Sequence, residues 1–287
     1  MNGTVLKAGD HTLPLGGGPR LMGIVNITPD SFADGGRYVD PPAAIDHGLR
    51  LVDEGADLLD LGAESTRPGA APVPAVTELE RLLPVLRELR RRVTVPIAVD
   101  TYKAEVARAC LAEGATMVND ISGLTFDPDM ATTVATSGAA LCLMHTPAPP
   151  RTMQDHAHYG DVVRDVVAAL AGSVARAAAA GIGRDRLLVD PGIGFGKSAD
   201  HNWEILRRLE ELNALGLPVL IGASRKSFIG IALADGTGGG EPWPVEARLE
   251  GSLAVAAWCA LRGIAVLRVH DVDATARVLK MIHKLTD

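Results

Sequence analysis

Four times in this chain a glycine opens a short, unbroken apolar run that ends on polar side chains: Gly55–Asp60, Gly114–Asp120, Gly138–His145 and Gly263–His270. Glycine reaches positive φ without a Cβ clash and so suits the residue just past a helix, while a continuous apolar run suits a strand buried on both faces. The same apolar-then-polar shape recurs at Leu21–Asn26, Pro96–Asp100, Leu187–Asp190 and Pro218–Lys226, which makes eight strand candidates. The intervening segments carry helical spacing. Val163, Val166, Val167, Leu170 and Val174 form one apolar stripe closed by Gly181, and a second helix runs from Thr101 through Val106, Cys110 and Leu111 to Gly114. The chain ends on a further helix, Val272 to Lys284. Eight strand–helix alternations predict an α/β fold, a closed (β/α)8 TIM barrel; the competing open, doubly wound sheet would need more polar edge strands. Ahead of the first strand, Thr4–Leu6 and Thr12–Leu15 flank Gly9-Asp10 and predict an N-terminal β-hairpin at the bottom of the barrel.

With 287 residues and 47% hydrophobic content the chain can bury one large core, so a single domain over 1–287 is expected. A net charge of −7 and only 3% aromatic residues leave neither a basic face for phosphates nor platforms for bases, which argues against a nucleic-acid partner and for small molecules. Cys110, Cys142 and Cys259 are odd in number and scattered through apolar patterns, as reduced core thiols are. The start lacks the basic and apolar regions of a targeting signal, and no run approaches the ~18 apolar residues of a spanning helix. A soluble, cytoplasmic protein without a membrane partner is expected.

In a barrel with its strands in register, the polar strand ends meet on one rim: Asn26, Asp60, Glu64, Asp100, Asn119, Asp120, His145, Asp190, Lys226, Arg268 and His270. For any one of them a bland alternative exists. Asp60 and Glu64 can salt-bridge a neighbour, and Asp120 can cap a loop. As a set, however, they resist explanation by packing, because buried charges are costly unless paired. Asp100, Asn119 and Asp190 offer acceptors and an amide suited to a flat ring bearing N–H donors, such as a guanidine-like heterocycle. Lys226, Arg268 and His270 fall on strands seven and eight, where barrels commonly bind phosphate. Thr28–Tyr38, Ser65–Pro74 and Thr146–Tyr159 read as long surface loops, the first two as lids, and Gly236–Pro244 reads as a connector.

Other chemistries fail on spacing. Gly192–Ser198 resembles a phosphate loop, yet the first glycine of that motif falls on Pro191, and Lys197 occupies the third glycine of a dinucleotide fingerprint. Cys142-x-x-His145 and His156-x-His158 lack a second pair for zinc, whereas Asn26 with phosphate oxygens suits a hard ion such as Mg2+. Ser224 and Ser227 have no triad setting and read as hydrogen-bond donors.

Leu21–Gly36 (LMGIVNITPDSFADGG) followed by Gly62–Gly69 (GAESTRPG) resembles the two signature segments of the dihydropteroate synthase family. The resemblance continues through Val99–Thr101, Val118–Gly123, Leu143–His145, Asp190–Lys197, Gly222–Ser227 and Arg268–Asp271, and so spans the barrel. It implies a transferase of folate biosynthesis, a sulfonamide target, that joins 4-aminobenzoate to 6-hydroxymethyl-7,8-dihydropterin diphosphate. By resemblance, Asp100, Asn119, Asp190 and Lys226 hold the pterin, and Asn26, Thr66, Arg268 and His270 hold the diphosphate, with Asn26 on Mg2+. Thr66, Pro68, Phe195 and Ser227 form the 4-aminobenzoate pocket, with Asp30, Phe32 and Arg67 on the lid loops. Asp100, Lys226, Arg268 and His270 are the implied catalytic residues, acting in a dissociative path that needs no covalent enzyme nucleophile, and a homodimer is the implied assembly. His145-Thr-Pro-Ala-Pro-Pro150 departs from the family pattern in the fifth loop. Two rivals stay open: a pterin barrel that presents a methyl group to a corrinoid, and a non-catalytic paralogue.

Overall fold

The computed structural model describes residues 4–28, 40–234 and 241–286. All four unit-opening glycines adopt positive φ, 103° at Gly55, 100° at Gly114, 74° at Gly138 and 73° at Gly263. Each ends a helix and turns the chain into a parallel strand. The strands are β3 (Arg20–Asn26), β4 (Leu58–Gly62), β5 (Ile97–Asp100), β6 (Met117–Asp120), β7 (Ala140–Met144), β8 (Leu187–Asp190), β9 (Leu220–Ile221) and β10 (Val266–Val269). They form one eight-stranded sheet in which β10 pairs with both β3 and β9. A parallel bridge between Val189 and Val219 joins β8 to β9, so the sheet curls into a barrel rather than ending in two open edges. The seventh strand is much shorter than the Pro218–Lys226 run, because Gly222 to Lys226 leave the ladder to build the site.

Around the barrel lie α1 (Pro41–Asp53), α2 (Ala75–Arg92), α3 (Ala104–Ala112), α4 (Met130–Ser137), α5 (Val162–Ala179), α6 (Ala199–Arg207), α7 (Ser227–Ala234), α8 (Leu249–Leu261) and α9 (Val272–Thr286). The Asp161 carboxylate caps α5 by accepting from the Val163 and Arg164 amides, and Ser198 with His201 forms a capping box on α6. Outward strand residues, among them Leu59, Leu61, Val99, Val118, Leu141 and Val189, join the helix stripes in one continuous core.

Inside the barrel the period of two separates two layers. Met22, Leu58, Ala98, Met117, Ala140, Leu188, Leu220 and Val266, one from each strand, form an apolar lower layer. The hairpin β1 (Val5–Ala8) and β2 (His11–Pro14) turns at Gly9-Asp10 and adds Leu6, Ala8, Leu13 and Leu15 to that layer, plugging the bottom as its sequence predicts. Two residues further along the strands come Asp60, Asp100, Asn119, Asp190 and Arg268, beside Ile24, Cys142 and Gly222. The same register that buries the lower layer thus aims this polar layer at the barrel axis.

The Thr146–Tyr159 stretch is not the free surface loop its composition suggests. Ala148, Pro150 and Met153 are buried, and a short 3-10 turn covers Met153–His156. Asp30 and Phe32, with most of the first lid loop, lie outside the described residues, as do residues 236–240 of the connector.

Candidate active site at the barrel mouth

A buried charge network forms the floor. Arg268 donates from Nε to Asp60 Oδ2 (2.5 Å) and from Nη2 to Asp100 Oδ2 (2.9 Å), and Asn119 Nδ2 donates to Asp60 Oδ2 (3.0 Å). Gly222 lies beside the stem of this side chain, where a Cβ would meet Arg268 Cβ and Cδ at an ordinary packing distance of 3.7 Å. Each acidic or amide group keeps one buried oxygen in reserve. Asp60 Oδ1, Asp100 Oδ1 and Asn119 Oδ1 have no hydrogen-bond partner among the described residues. Three such acceptors on neighbouring strand ends suit a ligand edge rich in N–H donors. Burial, abetted by Asp60, pushes Asp100 up to about 7 against the pull of Arg268.

The β8–α6 loop forms one wall. Asp190 Oδ1 accepts from the Gly192 amide at 2.7 Å, and burial raises its carboxyl above the ordinary range. Lys226 hydrogen-bonds the Ile193 carbonyl and sits 4.4 Å from the centre of the Phe195 ring. Burial lowers its ammonium to about 8, with Asp190 opposing. Gly194, at φ 82°, is required here: a Cβ would fall 2.9 Å from Lys226 Cδ. Lys197, the residue that mimics a phosphate-loop lysine, is turned inward and spent on protein acceptors, His145 Nδ1, Gly192 O and Phe195 O, each at 3.0 Å. Burial lowers Lys197 to about 7 and His145 to about 3.

The ends of β9 and β10, next around the barrel from β8, form the adjoining wall. His270 Nδ1 lies 3.0 Å from Ser224 Oγ, and burial together with Arg268 and Arg225 lowers its imidazole to about 3. His270 is therefore a neutral hydrogen-bonding group at physiological pH, not a second cation beside Arg268. Arg225 adopts φ 57° and is held by a two-pronged pair with Asp271 (2.5 and 2.9 Å), by Ser252 and by Arg248. That turn fixes the direction of Lys226. On the next strand, Asn26 ends β3 in register with Gly62, and Gly62 with Asp100.

Several rim candidates resolve into their bland roles. The Asp120 carboxylate faces away from Asn119 and caps its own loop, accepting from Ser122 N (2.8 Å), Ser122 Oγ (2.7 Å) and Leu124 N (2.7 Å). Glu64 accepts from Lys103, Tyr102 Oη (2.7 Å) and the Val73 amide (3.3 Å), and so anchors both ends of the Ser65–Pro74 loop. His145 is absorbed by Lys197. Thr66 is half-buried on that anchored loop, with Arg67 and Pro68 exposed beside it. Ser227 is exposed at the start of α7, next to Lys226 and across from the half-buried Phe195. Asp60 gains the importance that the others lose. Its place two residues beyond the lower-layer Leu58 is the signal that identifies it as inward-facing.

A parallel barrel that carries unpartnered acceptors on its floor and buried cations around its mouth has the make-up of an enzyme for small molecules. A sequence profile of the family described as "Pterin binding enzyme" matches residues 22–270. The chain is 44% identical over 264 residues to a dihydropteroate synthase of Mycobacterium leprae, covering 92% of each chain. It superimposes on a Xanthomonas albilineans dihydropteroate synthase with 4-aminobenzoic acid at a TM-score of 0.89, with 45% identity, covering 98% of this chain and 97% of that one. A Yersinia pestis dihydropteroate synthase in a sulfonamide drug complex superimposes at a TM-score of 0.90 with 40% identity, covering 98% of this chain and 99% of that one. The chain belongs to the dihydropteroate synthase family of pterin-binding enzymes. It is a transferase.

Proposed function

We propose that the enzyme condenses 6-hydroxymethyl-7,8-dihydropterin diphosphate with 4-aminobenzoate to give 7,8-dihydropteroate and diphosphate. The observation that carries this reading is the row of unpartnered oxygens on Asp60, Asp100 and Asn119. The amino-pyrimidinone edge of a pterin is guanidine-like and presents N–H donors to such a row, with Asp190 and Lys226 completing its surround. The methylene C–O bond breaks first, and its electrons leave with the diphosphate. Arg268 supplies positive charge to that leaving group and His270 a hydrogen bond, while the Asp100 carboxylate offsets the cation that spreads over the pterin. The arylamine then forms the C–N bond and loses a proton. Thr66, Pro68, Phe195 and Ser227 surround its ring, and Arg67, Asp30 and Phe32 belong to the loops that cover it. A coupled assay should detect diphosphate only when both substrates are present at turnover, in step with dihydropteroate; absence of diphosphate release would overturn the reading.

Among the described residues no group of three or more histidine, cysteine or carboxylate side chains is poised to hold a metal alone. Asn26 offers one neutral hard oxygen, which suits Mg2+ only when substrate phosphate oxygens complete its shell. When bound, the ion neutralises diphosphate charge. Asn26→Ala is expected to weaken Mg2+ uptake about tenfold in the presence of diphosphate, as read by titration calorimetry, a loss of ~1.4 kcal/mol.

The pH dependence follows from two groups. Asp100 is anionic above about 7 and Lys226 cationic below about 8, so kcat/KM for the pterin substrate should peak between those values and fall on both sides. Asp100→Asn should flatten the acid limb in a pH–rate profile. Ser227→Ala should raise the KM for 4-aminobenzoate roughly fivefold with kcat little changed, the signature of one lost ground-state hydrogen bond.

Exposed apolar side chains on α7 to α9, namely Ile231, Trp258, Leu261, Met281 and Leu285, support a homodimer, which light scattering would test. Three free, buried cysteines support a cytoplasmic setting. Among the described residues no helix is long and apolar enough to cross a membrane.

A further inference from the structure

The Thr146–Tyr159 segment departs from the family pattern at its start and holds none of the groups assigned to substrate. It touches both walls of the arylamine pocket. The Pro150 carbonyl accepts from the Gly69 amide at 3.0 Å, which ties the segment to the loop bearing Thr66 and Pro68. At its other end Tyr159 Oη donates to the Gly196 carbonyl at 2.8 Å, in the loop bearing Phe195. Gly196 is pressed against the same segment: a Cβ there would lie 2.4 Å from Pro147 Cγ and 2.8 Å from the Met153 carbonyl. Next to it, Lys197 reaches from His145 at the start of the segment to the carbonyls of Gly192 and Phe195. The Tyr159 ring packs edge-on against His201 at 5.1 Å and lies 5.9 Å from Lys197 Nζ.

We propose that this fifth loop is a brace that sets the width of the 4-aminobenzoate pocket, with Tyr159 and Lys197 as its positioning residues. The proposal rests on the assignment of that pocket to 4-aminobenzoate. Two loops that otherwise belong to separate strand ends, after β4 and after β8, are held at a fixed separation by one segment hydrogen-bonded to each. Because the Gly69 and Tyr159 hydrogen bonds run between the segment and main-chain atoms of the two loops, the brace sets loop position, and the strand-borne acceptors Asp60, Asp100 and Asn119 are not among its partners. A ring wedged between Pro68 and Phe195 feels that separation directly.

The test is steady-state kinetics of the full-length enzyme carrying Tyr159→Phe, which keeps the ring packing and removes only the hydroxyl, and of Lys197→Gln. Tyr159→Phe is expected to raise the KM for 4-aminobenzoate about fivefold, the value of one hydrogen bond, with the KM for the pterin substrate and kcat within about twofold of wild type. Lys197→Gln should move the same constant further in the same direction, with a smaller rise for the pterin substrate, since Lys197 also holds the Gly192 turn that Asp190 pins. Melting temperatures are recorded for both variants. Equal rises in the two KM values, a fall in kcat alone, or a lowered melting temperature with unchanged KM for 4-aminobenzoate would each overturn the brace. Failure of the parent reading is separable, because the wild-type enzyme would then release no diphosphate in the presence of 4-aminobenzoate.

Discussion

Asp60→Ala is expected to reduce kcat/KM by at least about 100-fold and to destabilise the fold by ~3 kcal/mol, a larger loss than at any residue of the arylamine pocket. Asp60 is completely buried and accepts from both Arg268 and Asn119. Removing it leaves a buried guanidinium with Asp100 as its remaining carboxylate and frees the Asn119 amide to rotate. Two groups that face substrate would therefore lose their orientation together. Asp60→Asn keeps an oxygen for Arg268 and should recover most of the stability but less of the activity. Chemical denaturation and initial rates measure the two effects separately. Rates for the alanine variant within twofold of wild type would remove Asp60 from the machinery.

Asp190→Ala should abolish pterin binding detectable by calorimetry, a loss of at least about 100-fold or ~2.7 kcal/mol. The carboxylate both faces the site and pins the Gly192 amide, so its removal loosens the turn that leads to Phe195. It also withdraws the charge that sustains Lys226 as an ammonium in a buried place. Asp190→Asn retains the turn and separates the two contributions. Lys226→Ala should produce a comparable loss of binding, because it removes the ammonium that opposes the Asp190 carboxylate and stands over the Phe195 ring. Unchanged pterin affinity in either alanine variant would sink the pterin assignment.

The barrel was legible because its strands are buried on both faces and four of them follow a glycine that ends a helix, so most of the repeat is written in local sequence. The hairpin plug was legible from Gly9-Asp10 for the same reason. Within the site, polar strand ends at Asp100, Asn119, Asp190 and Arg268 announced themselves against apolar runs. What the runs do not encode is which way a strand end faces. Asn119 and Asp120 are adjacent, yet one reaches the axis and the other caps a loop, and only pairing with β5 and β7 decides between them. Glu64 was ambiguous because its partner, Lys103, is 39 residues away. The neutral state of His270 depends on the burial and neighbouring charges that the fold assembles around it. The fifth loop was silent because its partners in the neighbouring loops are the Gly69 amide and the Gly196 carbonyl, main-chain groups that residue type does not announce.

The hairpin beneath the floor has a consequence for traffic. With Leu6, Ala8, Leu13 and Leu15 sealing the lower end, the barrel is a well with a single opening. The acceptors on Asp60, Asp100 and Asn119 lie at its base, and Phe195 and Ser227 stand nearer the rim. Whatever occupies the base must descend before the rim is filled, and once the two are joined they leave by the same mouth as one molecule.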